Sequence, residues 1–241
     1  MNMNPVSMKN SSNIENGQLY PNMIENPQLR WGFIRKVYSI IAIQVLITIG
    51  VSAFMFFSPP IKGFIRTWPG IGTIMAVFIF TLIISCTMTC WGRRHPWNYI
   101  MMFIFTAGMA FLIGCICAYK QGETVLVGAG LTAIVTVALT IYTFWAASRG
   151  KDFSFLAPFL MCALIILIAF AFLRMFFPFG GTMSVVYGCI GSLVFSGFII
   201  YDTDNLIKRF SYDEYVAAAV TLYIDILNLY SCILGAMDAA D

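Results

Sequence analysis

Two aspartates near the end of the chain have the residue types and the spacing that proton-linked or cation chemistry requires. They stand in Gly197-Phe198-Ile199-Ile200-Tyr201-Asp202-Thr203 and in Leu222-Tyr223-Ile224-Asp225-Ile226-Leu227-Asn228-Leu229. Two carboxylates within about 4 Å repel each other by on the order of 4 kcal/mol at an effective dielectric of 20, so such a pair shares one proton near neutral pH. Acid removes its charge, whereas neutral pH exposes oxygen ligands that suit Ca²⁺. Asp202 and Asp225 are therefore predicted to form a pH-sensing, transient Ca²⁺ site.

Asp225 is the one acid near the middle of an apolar run. Ser211 and Glu214 fit a Ser-x-x-Glu capping box, which predicts that the last helix begins near Tyr212. Asp225 lies nine residues past Val216, where the apolar run begins, and is therefore roughly 14 Å deep at 1.5 Å per residue. An ionisable group at such a depth costs about 2.5 to 3.5 kcal/mol even on the lenient insertion scale, so it faces a bundle interior or water.

The helix that carries Asp225 has further polar groups on the same face. Thr221, Asn228 and Cys232 recur with Asp225 at spacings of four, three and four residues, which places them on one side of an α-helix. Thr221 and Asn228 are therefore predicted to form a polar face near the aspartate pair.

Asp202 is predicted to end the preceding helix, which runs in the opposite direction. Both acids would then lie in the same half of the membrane. Two structural alternatives stay open: Asp202 caps a helix end, and Asp225 forms an ion pair with an arginine such as Arg93 or Arg94.

The composition defines the elements that must hold these residues in place. The chain has 241 residues, of which 60% are hydrophobic and 10% charged, with a mean hydropathy of +0.84; a soluble domain has roughly 25% charged residues. A water-soluble globule is excluded. About 145 apolar residues suffice for about seven membrane helices of roughly 20 residues each. Seven apolar runs are visible, at 37–57, 71–90, 97–118, 124–147, 155–177, 184–202 and 216–237.

The predicted fold class is therefore an all-α polytopic membrane protein, a bundle of seven transmembrane helices whose last member either spans or is re-entrant. Residues 1–29 are polar and asparagine-rich, and they are predicted to form a disordered cytosolic tail before a membrane domain at 30–241. Of the 14 Lys and Arg residues, ten fall on the side of this tail, and Lys62, Arg66, Lys120 and Arg174 fall on the other. Because basic residues accumulate on the cytosolic side, the N-terminus is expected to be cytosolic.

Two runs carry small or hydroxylated residues at every fourth position. Such stripes let helix backbones approach closely, and the alternative is that their hydroxyl groups line a polar path through the bundle. The stripes consist of Thr124, Gly128, Thr132, Thr136 and Thr140 in the fourth run, and of Ser184, Gly188, Ser192 and Ser196 in the sixth.

Several functional classes find no support in the residues. The net charge of +3 is spread over scattered Lys and Arg, so no basic stripe could follow a nucleic acid. The one histidine, His95, has no cysteine pair near it, and all seven cysteines lie in apolar runs, so no zinc ligand set exists. No cofactor is expected, with Ca²⁺ only as a permeant ion.

Four stretches resemble the lifeguard branch of the Bax-inhibitor (transmembrane BAX inhibitor motif) family, and within it the Golgi anti-apoptotic and plant lifeguard proteins. They are the two aspartate motifs, Arg35-Lys36-Val37-Tyr38-Ser39 and Arg94-His95-Pro96-Trp97-Asn98. The resemblance implies a seven-helix protein of Golgi or endoplasmic reticulum membranes that leaks Ca²⁺ from stores and restrains cell death. It places the family's pH-sensing acids on Asp202 and Asp225, and the arginine that latches them on Arg93 or Arg94.

The predicted function is thus a Ca²⁺-permeable leak channel, not an enzyme, with pH-dependent gating by the aspartate pair. Its partners would be the lipid bilayer, Ca²⁺, H⁺ and cell-death regulators or other Ca²⁺ channels; the oligomeric state stays open. A non-conducting scaffold that regulates cell death is the main alternative.

A remote alternative is an intramembrane aspartyl protease, because Tyr201-Asp202 precedes a second aspartate. That family places Gly-x-Gly before its second aspartate, whereas Leu222-Tyr223-Ile224 precedes Asp225.

The orientation yields a first test at Asn10, which begins the glycosylation sequon Asn10-Ser11-Ser12. Because glycans are added in the lumen, Asn10 should carry none in cells, as measured by the gel shift on glycosidase treatment. The same tripeptide in a lengthened 58–67 connection is the control and should be glycosylated. A glycan on Asn10 would reverse the orientation.

Overall fold

The chain folds into a bundle of α-helices, as the apolar runs predict. A computed structural model describes residues 18–21, 23–91, 97–177 and 180–240. Within these ranges the secondary structure consists of eight α-helices and one 3₁₀ turn at Tyr212–Glu214. The helices are α1 (Pro27–Phe57), α2 (Pro59–Ile65), α3 (Trp68–Trp91), α4 (Trp97–Ala118), α5 (Gly122–Ser148), α6 (Leu156–Phe176), α7 (Gly181–Lys208) and α8 (Tyr215–Ala240).

Seven of these helices, all except the short α2, are long and apolar enough to cross a membrane. The predicted fold class is confirmed, and the chain is an integral membrane protein. The first helix begins before the first apolar run, because Asn26 accepts a hydrogen bond from Gln28 N at 2.9 Å and Pro27 occupies the first turn, as helix starts favour. The boundary of the predicted tail at residue 29 stays a prediction.

Local sequence accounts for two of the tight connections. The Ser211–Glu214 capping box is present, and Ser211 N donates to Glu214 Oε2 at 3.1 Å, so that α8 starts after a single 3₁₀ turn. At the end of α5, Gly150 has a φ of 75°, a conformation that glycine adopts without steric cost. Lys151 N bonds to Ala146 O at 3.1 Å there, which closes the helix in a Schellman motif.

The last helix lies at the centre of the bundle and contacts α1, α4, α5 and α7. Over its most apolar window, 56% of α8 is buried, against 11 to 39% for the other six spans. The Tyr215 hydroxyl at the start of α8 donates to the Tyr99 hydroxyl at the start of α4 at 2.7 Å, and Lys120 just after α4 pairs with Asp238 near the end of α8. The helix therefore runs beside α4 from one face of the bundle to the other, over about 39 Å for 26 residues, and is not re-entrant.

The stripes of small residues pack helices. Gly188 and Gly191 of α7 lie directly against α8, and Gly128 and Thr132 of α5 are buried. Two hydroxyl groups of the stripes bond to their own helices: Thr132 donates to Gly128 O and Ser192 to Gly188 O, both at 2.8 Å. The buried Thr136 hydroxyl has no hydrogen-bond partner among the described residues, and Ser184 accepts from Arg174 Nη2 of α6 at 3.0 Å. The packing interpretation therefore accounts for Thr132 and Ser192, and the alternative of a polar path stays open for Thr136 and Ser184.

The α7–α8 contact can be tested at Gly188. A methyl group there would meet Ala236 Cβ and Cys232 O, each at 2.7 Å, so we expect Gly188→Ala to lower the stability by about 1 to 3 kcal/mol, measured as thermal unfolding in detergent. Gly130→Ala on α5 is the matched control, since no heavy atom lies within 4 Å of the added methyl. Equal melting temperatures for the two variants would contradict the tight contact.

Candidate functional site

The two predicted aspartates meet in the interface between α7 and α8. Their carboxyl groups lie in hydrogen-bonding contact with each other. Asp225 is 6% exposed, and its position ten residues into α8 puts it roughly 15 Å from the start of that helix. Asp202 lies six residues before the end of α7, at the same face of the bundle. The structure therefore brings together the two acids that the sequence singles out.

A contact of this kind requires a proton. Two ionised carboxylates are acceptors only, so they can form a hydrogen bond only when at least one of them is protonated. Asp202 Oδ1 also accepts from Asn205 Nδ2 at 3.4 Å, whereas the buried Asp225 Oδ2 has no hydrogen-bond partner among the described residues. The pair can thus hold or release a proton.

Asp202 does not end its helix, contrary to the sequence prediction. The apolar run stops at Asp202, but α7 continues for six more residues to Lys208. The added turns are stabilised by an ion pair at the favourable i, i+4 spacing, between Asp204 Oδ1 and Lys208 Nζ at 2.6 Å. The alternative role of Asp202 as a helix cap is excluded by this position.

Of the other four predicted site residues, the structure describes two. Thr221 and Asn228 are half-buried on the Asp225 face of α8, and the Thr221 hydroxyl donates to Ala217 O and Ala218 O of its own helix at 3.2 Å. The candidate latch residues Arg93 and Arg94 lie outside the described residues. Within the described ranges, no group of three or more His, Cys, Asp or Glu could hold a metal ion.

Asp204 is a buried acid that the sequence analysis missed. It is 1% exposed, and its Oδ2 accepts from the backbone N–H of Phe153 at 3.3 Å. Lys208, its ion-pair partner, also donates to Lys151 O at 2.5 Å. These contacts hold the α5–α6 connection against the end of α7. The i, i+4 spacing of Asp204 and Lys208 was the signal that could have found it.

The same connection contains an exposed ion pair. Asp152 Oδ1 lies 3.4 Å from Arg209 Nη2. The hydrogen bond from the Ser154 hydroxyl, at 2.9 Å, lowers the pKa of Asp152 below its ordinary value, so this carboxylate stays charged toward Arg209. Exposed pairs of this kind add little stability.

Arg30 is the second residue that the sequence analysis missed, since it served there only in the count of basic residues. Its side chain is 1% exposed; Nε donates to Ile207 O at 3.0 Å and Nη1 to Phe210 O at 2.5 Å. A cation at the C-terminal end of a helix is favoured by the helix dipole. Arg30 thus fastens the start of α1 to the end of α7.

A segment before α1 covers this face of the bundle. Leu19 and Met23 are buried in the main apolar core together with Ile207 of α7. Glu25 accepts from the Tyr212 hydroxyl at 2.9 Å and lies 3.6 Å from Arg30 Nε. The described part of the predicted tail is therefore packed onto the bundle at the end nearer the aspartate pair.

Comparison with known proteins identifies the family of this chain. The model of the family described as Inhibitor of apoptosis-promoting Bax1 matches residues 30–241. The chain belongs to the Bax-inhibitor family. It is 50% identical to Protein LIFEGUARD 4 of Arabidopsis thaliana over 92% of this chain and 91% of that protein. It is 34% identical to Protein lifeguard 4 of Mus musculus over 88% and 87%, and 31% identical to Protein lifeguard 3 of Homo sapiens over 90% and 71%.

Membership of the Bax-inhibitor family confirms the resemblance drawn from the four sequence stretches. The matched region begins at residue 30 within α1 and contains the other six long helices and both aspartates. The roles of Asp202, Asp225, Thr221, Asn228, Arg93 and Arg94 stay predictions.

The contacts of Arg30 predict a local effect. Replacement by methionine leaves two carbonyl groups at the end of α7 without their charged donor, and hydrogen bonds to charged groups contribute about 1.5 to 3 kcal/mol each. We expect Arg30→Met to speed amide hydrogen exchange at residues 207–214 while exchange in the middle of α8 stays slow. Arg35→Met, at an exposed position of the same helix, is the control. Unchanged exchange at 207–214 would contradict the role of Arg30.

Proposed function

We propose that this protein is a Ca²⁺-permeable leak channel of intracellular membranes, gated by protons on Asp202 and Asp225, and that it thereby restrains programmed cell death. The observation that carries the proposal is the contact of these two carboxyl groups inside the most buried helix contact of the bundle. A buried acid in a membrane helix is expensive, and the contact of Asp225 with the half-buried Asp202 serves a purpose that packing alone does not require.

The coarser part of this function follows from the family. The chain belongs to the Bax-inhibitor family, whose description names inhibition of apoptosis-promoting Bax1, and its relatives are lifeguard proteins. It is therefore a regulator of cell death of the Bax-inhibitor type. The Golgi or endoplasmic reticulum location, the cytosolic N-terminus and the absence of enzymatic activity belong to the proposal.

The chemistry of the pair gives the direction of the pH effect. With one proton, the carboxyl of one aspartate donates to the carboxylate of the other, and this charge-assisted bond holds α7 against α8. A second proton removes the negative charge that attracts Ca²⁺. Loss of the shared proton replaces the bond by repulsion between two carboxylates, which favours separation of the helices and offers oxygen ligands to a hard cation. Ca²⁺ flux should therefore rise as the pH rises.

The test is flux through the purified protein in liposomes that contain a Ca²⁺ dye, measured at several pH values. We expect flux that increases with pH and that loses this dependence in Asp225→Asn, because the amide cannot take up or release the shared proton. Asp213→Asn makes the same change at an exposed position in the turn before α8 and should keep the dependence. Flux no faster than in empty liposomes at every pH would eliminate the channel function.

A non-conducting scaffold remains the second candidate, and the close packing of α7 on α8 through Gly188 and Gly191 favours it, since such packing needs no ion. Cell survival separates the two functions. A channel that acts through its flux should lose its protective effect together with the pH response in Asp225→Asn, whereas a scaffold should keep it.

The contact of the two acids is the one observation that favours an aspartyl protease. Leu222-Tyr223-Ile224 before Asp225 still departs from the protease motif.

A further inference from the structure

A second set of buried polar groups lies on the other side of α8 and belongs to neither the aspartate pair nor the stripes of small residues. Tyr223 is two residues from Asp225, which turns its side chain by about 200° around the helix axis. This set, called here the polar seam, joins α1, α4 and α8. It consists of Gln44 and Thr48 of α1, Thr106 and Cys117 of α4, and Tyr223 and Tyr230 of α8.

All six side chains are at most 8% exposed, and three interhelical contacts connect them. Gln44 Nε2 donates to Thr106 Oγ1 at 2.9 Å. The hydroxyl groups of Thr48 and Tyr223 lie 2.6 Å apart, and Cys117 Sγ lies 3.2 Å from the Tyr230 hydroxyl. Tyr223 and Tyr230 are roughly 12 and 22 Å from the start of α8. The polar seam therefore extends from the middle of the bundle toward the face opposite the aspartate pair.

The hydrogen atoms of the polar seam can be assigned. Thr106 donates its hydroxyl hydrogen to Met102 O at 2.8 Å, so the group of Gln44 that faces it must be the NH₂. Thr48 donates to Gln44 O at 2.8 Å, so Tyr223 donates its own hydrogen to Thr48. The hydroxyl hydrogens at this depth are thus used inside the protein.

The amide oxygen of Gln44 receives no hydrogen bond from the described residues. Gln44 is 2% exposed, and its Oε1 has no hydrogen-bond partner in the part of the chain that the structure describes. The Tyr223 oxygen, which donates to Thr48 one turn along α1 from Gln44, keeps its lone pairs as further acceptors. An amide oxygen buried in an apolar medium without a donor is strongly disfavoured.

We propose that the polar seam binds water, with Gln44 Oε1 as the principal acceptor and Tyr223 and the Cys117–Tyr230 pair as further contacts toward the far face. Water fits because the site offers more acceptors than donors and lies where lipid can supply neither. An apolar ligand would leave Gln44 unpaired. The proposal does not depend on the aspartate pair or on Ca²⁺ transport, because α8 itself separates the two sites.

The chain offers a matched native pair of cysteines to test this. Cys115 and Cys117 are two residues apart on α4, and they are 3% and 2% exposed. Cys115 belongs to an apolar cluster with Met55 and Ile65, whereas Cys117 belongs to the polar seam. Hydroxyl radicals formed from water by X-ray pulses oxidise sulfur only where water is adjacent, so the full-length protein in lipid nanodiscs should show oxidation of Cys117 about tenfold faster than that of Cys115. Equal rates for both cysteines overturn the proposal.

Gln44→Leu removes the acceptor at similar volume and should bring Cys117 and Tyr223 close to the slow rate of Cys115. Thr73→Val, at an exposed threonine of α3 that bonds to its own helix, is the control and should leave the rates unchanged. If Gln44→Leu disturbs the fold, Cys115 itself becomes reactive. Tyr223→Phe then replaces Gln44→Leu as the test, because its ring keeps the edge-to-face contact with Phe105 at 6.3 Å. Undiminished oxidation of Cys117 in a folded variant contradicts the assignment to Gln44.

Discussion

The cost of an acid inside a membrane determines the arrangement of this bundle. Asp225 lies roughly 15 Å from the nearer end of α8, where an unpaired carboxylate is strongly disfavoured. Aspartate has a short side chain, so a partner on another helix can reach it only if the two backbones approach closely. Gly188 and Gly191, which press α7 against Cys232 and Ala236 of α8, provide that approach. The tight helix contact and the buried pair are therefore two parts of one solution.

The ends of the helices keep this pair in register. Asp202 is fixed by α7, and the end of α7 is in turn fastened from two directions, by Arg30 of α1 and by the Asp204 contacts to the α5–α6 connection. A slip of α7 by one residue would break both sets of contacts together with the pair. The charged residues at this face thus do more than set the orientation in the membrane, because they define the height at which the two carboxyl groups meet.

The features that could be predicted from the sequence are those that depend on a local pattern of residues. The seven apolar runs gave the seven long helices, because a span is a continuous stretch of chain, and the Ser211–Glu214 capping box placed the start of α8. Asp202 and Asp225 could be paired because they flank one short connection. Arg30 and Ile207 are 177 residues apart, and Thr48 and Tyr223 are 175 apart, so no periodicity relates them. The predicted end of α7 at Asp202 was wrong. A rule based on apolar runs stops at the first charged residue, whereas the helix continues because Asp204 and Lys208 form an ion pair at i, i+4 spacing.

The composition of α8 supports the proposed channel over a closely packed scaffold. Over its most apolar window the mean hydropathy of α8 is 1.7, below the 1.9 to 2.8 of the other six spans, although α8 is the most buried of the seven. A helix that served only to fill the centre would carry apolar residues on every side, because a polar side chain in the core costs free energy unless it is paired. Instead α8 presents Asp225 toward α7 and Tyr223 and Tyr230 toward α1 and α4. Two carboxylates provide too few oxygens for a resident Ca²⁺, which takes 6 to 8, so this polarity suits an ion that passes through better than one that stays.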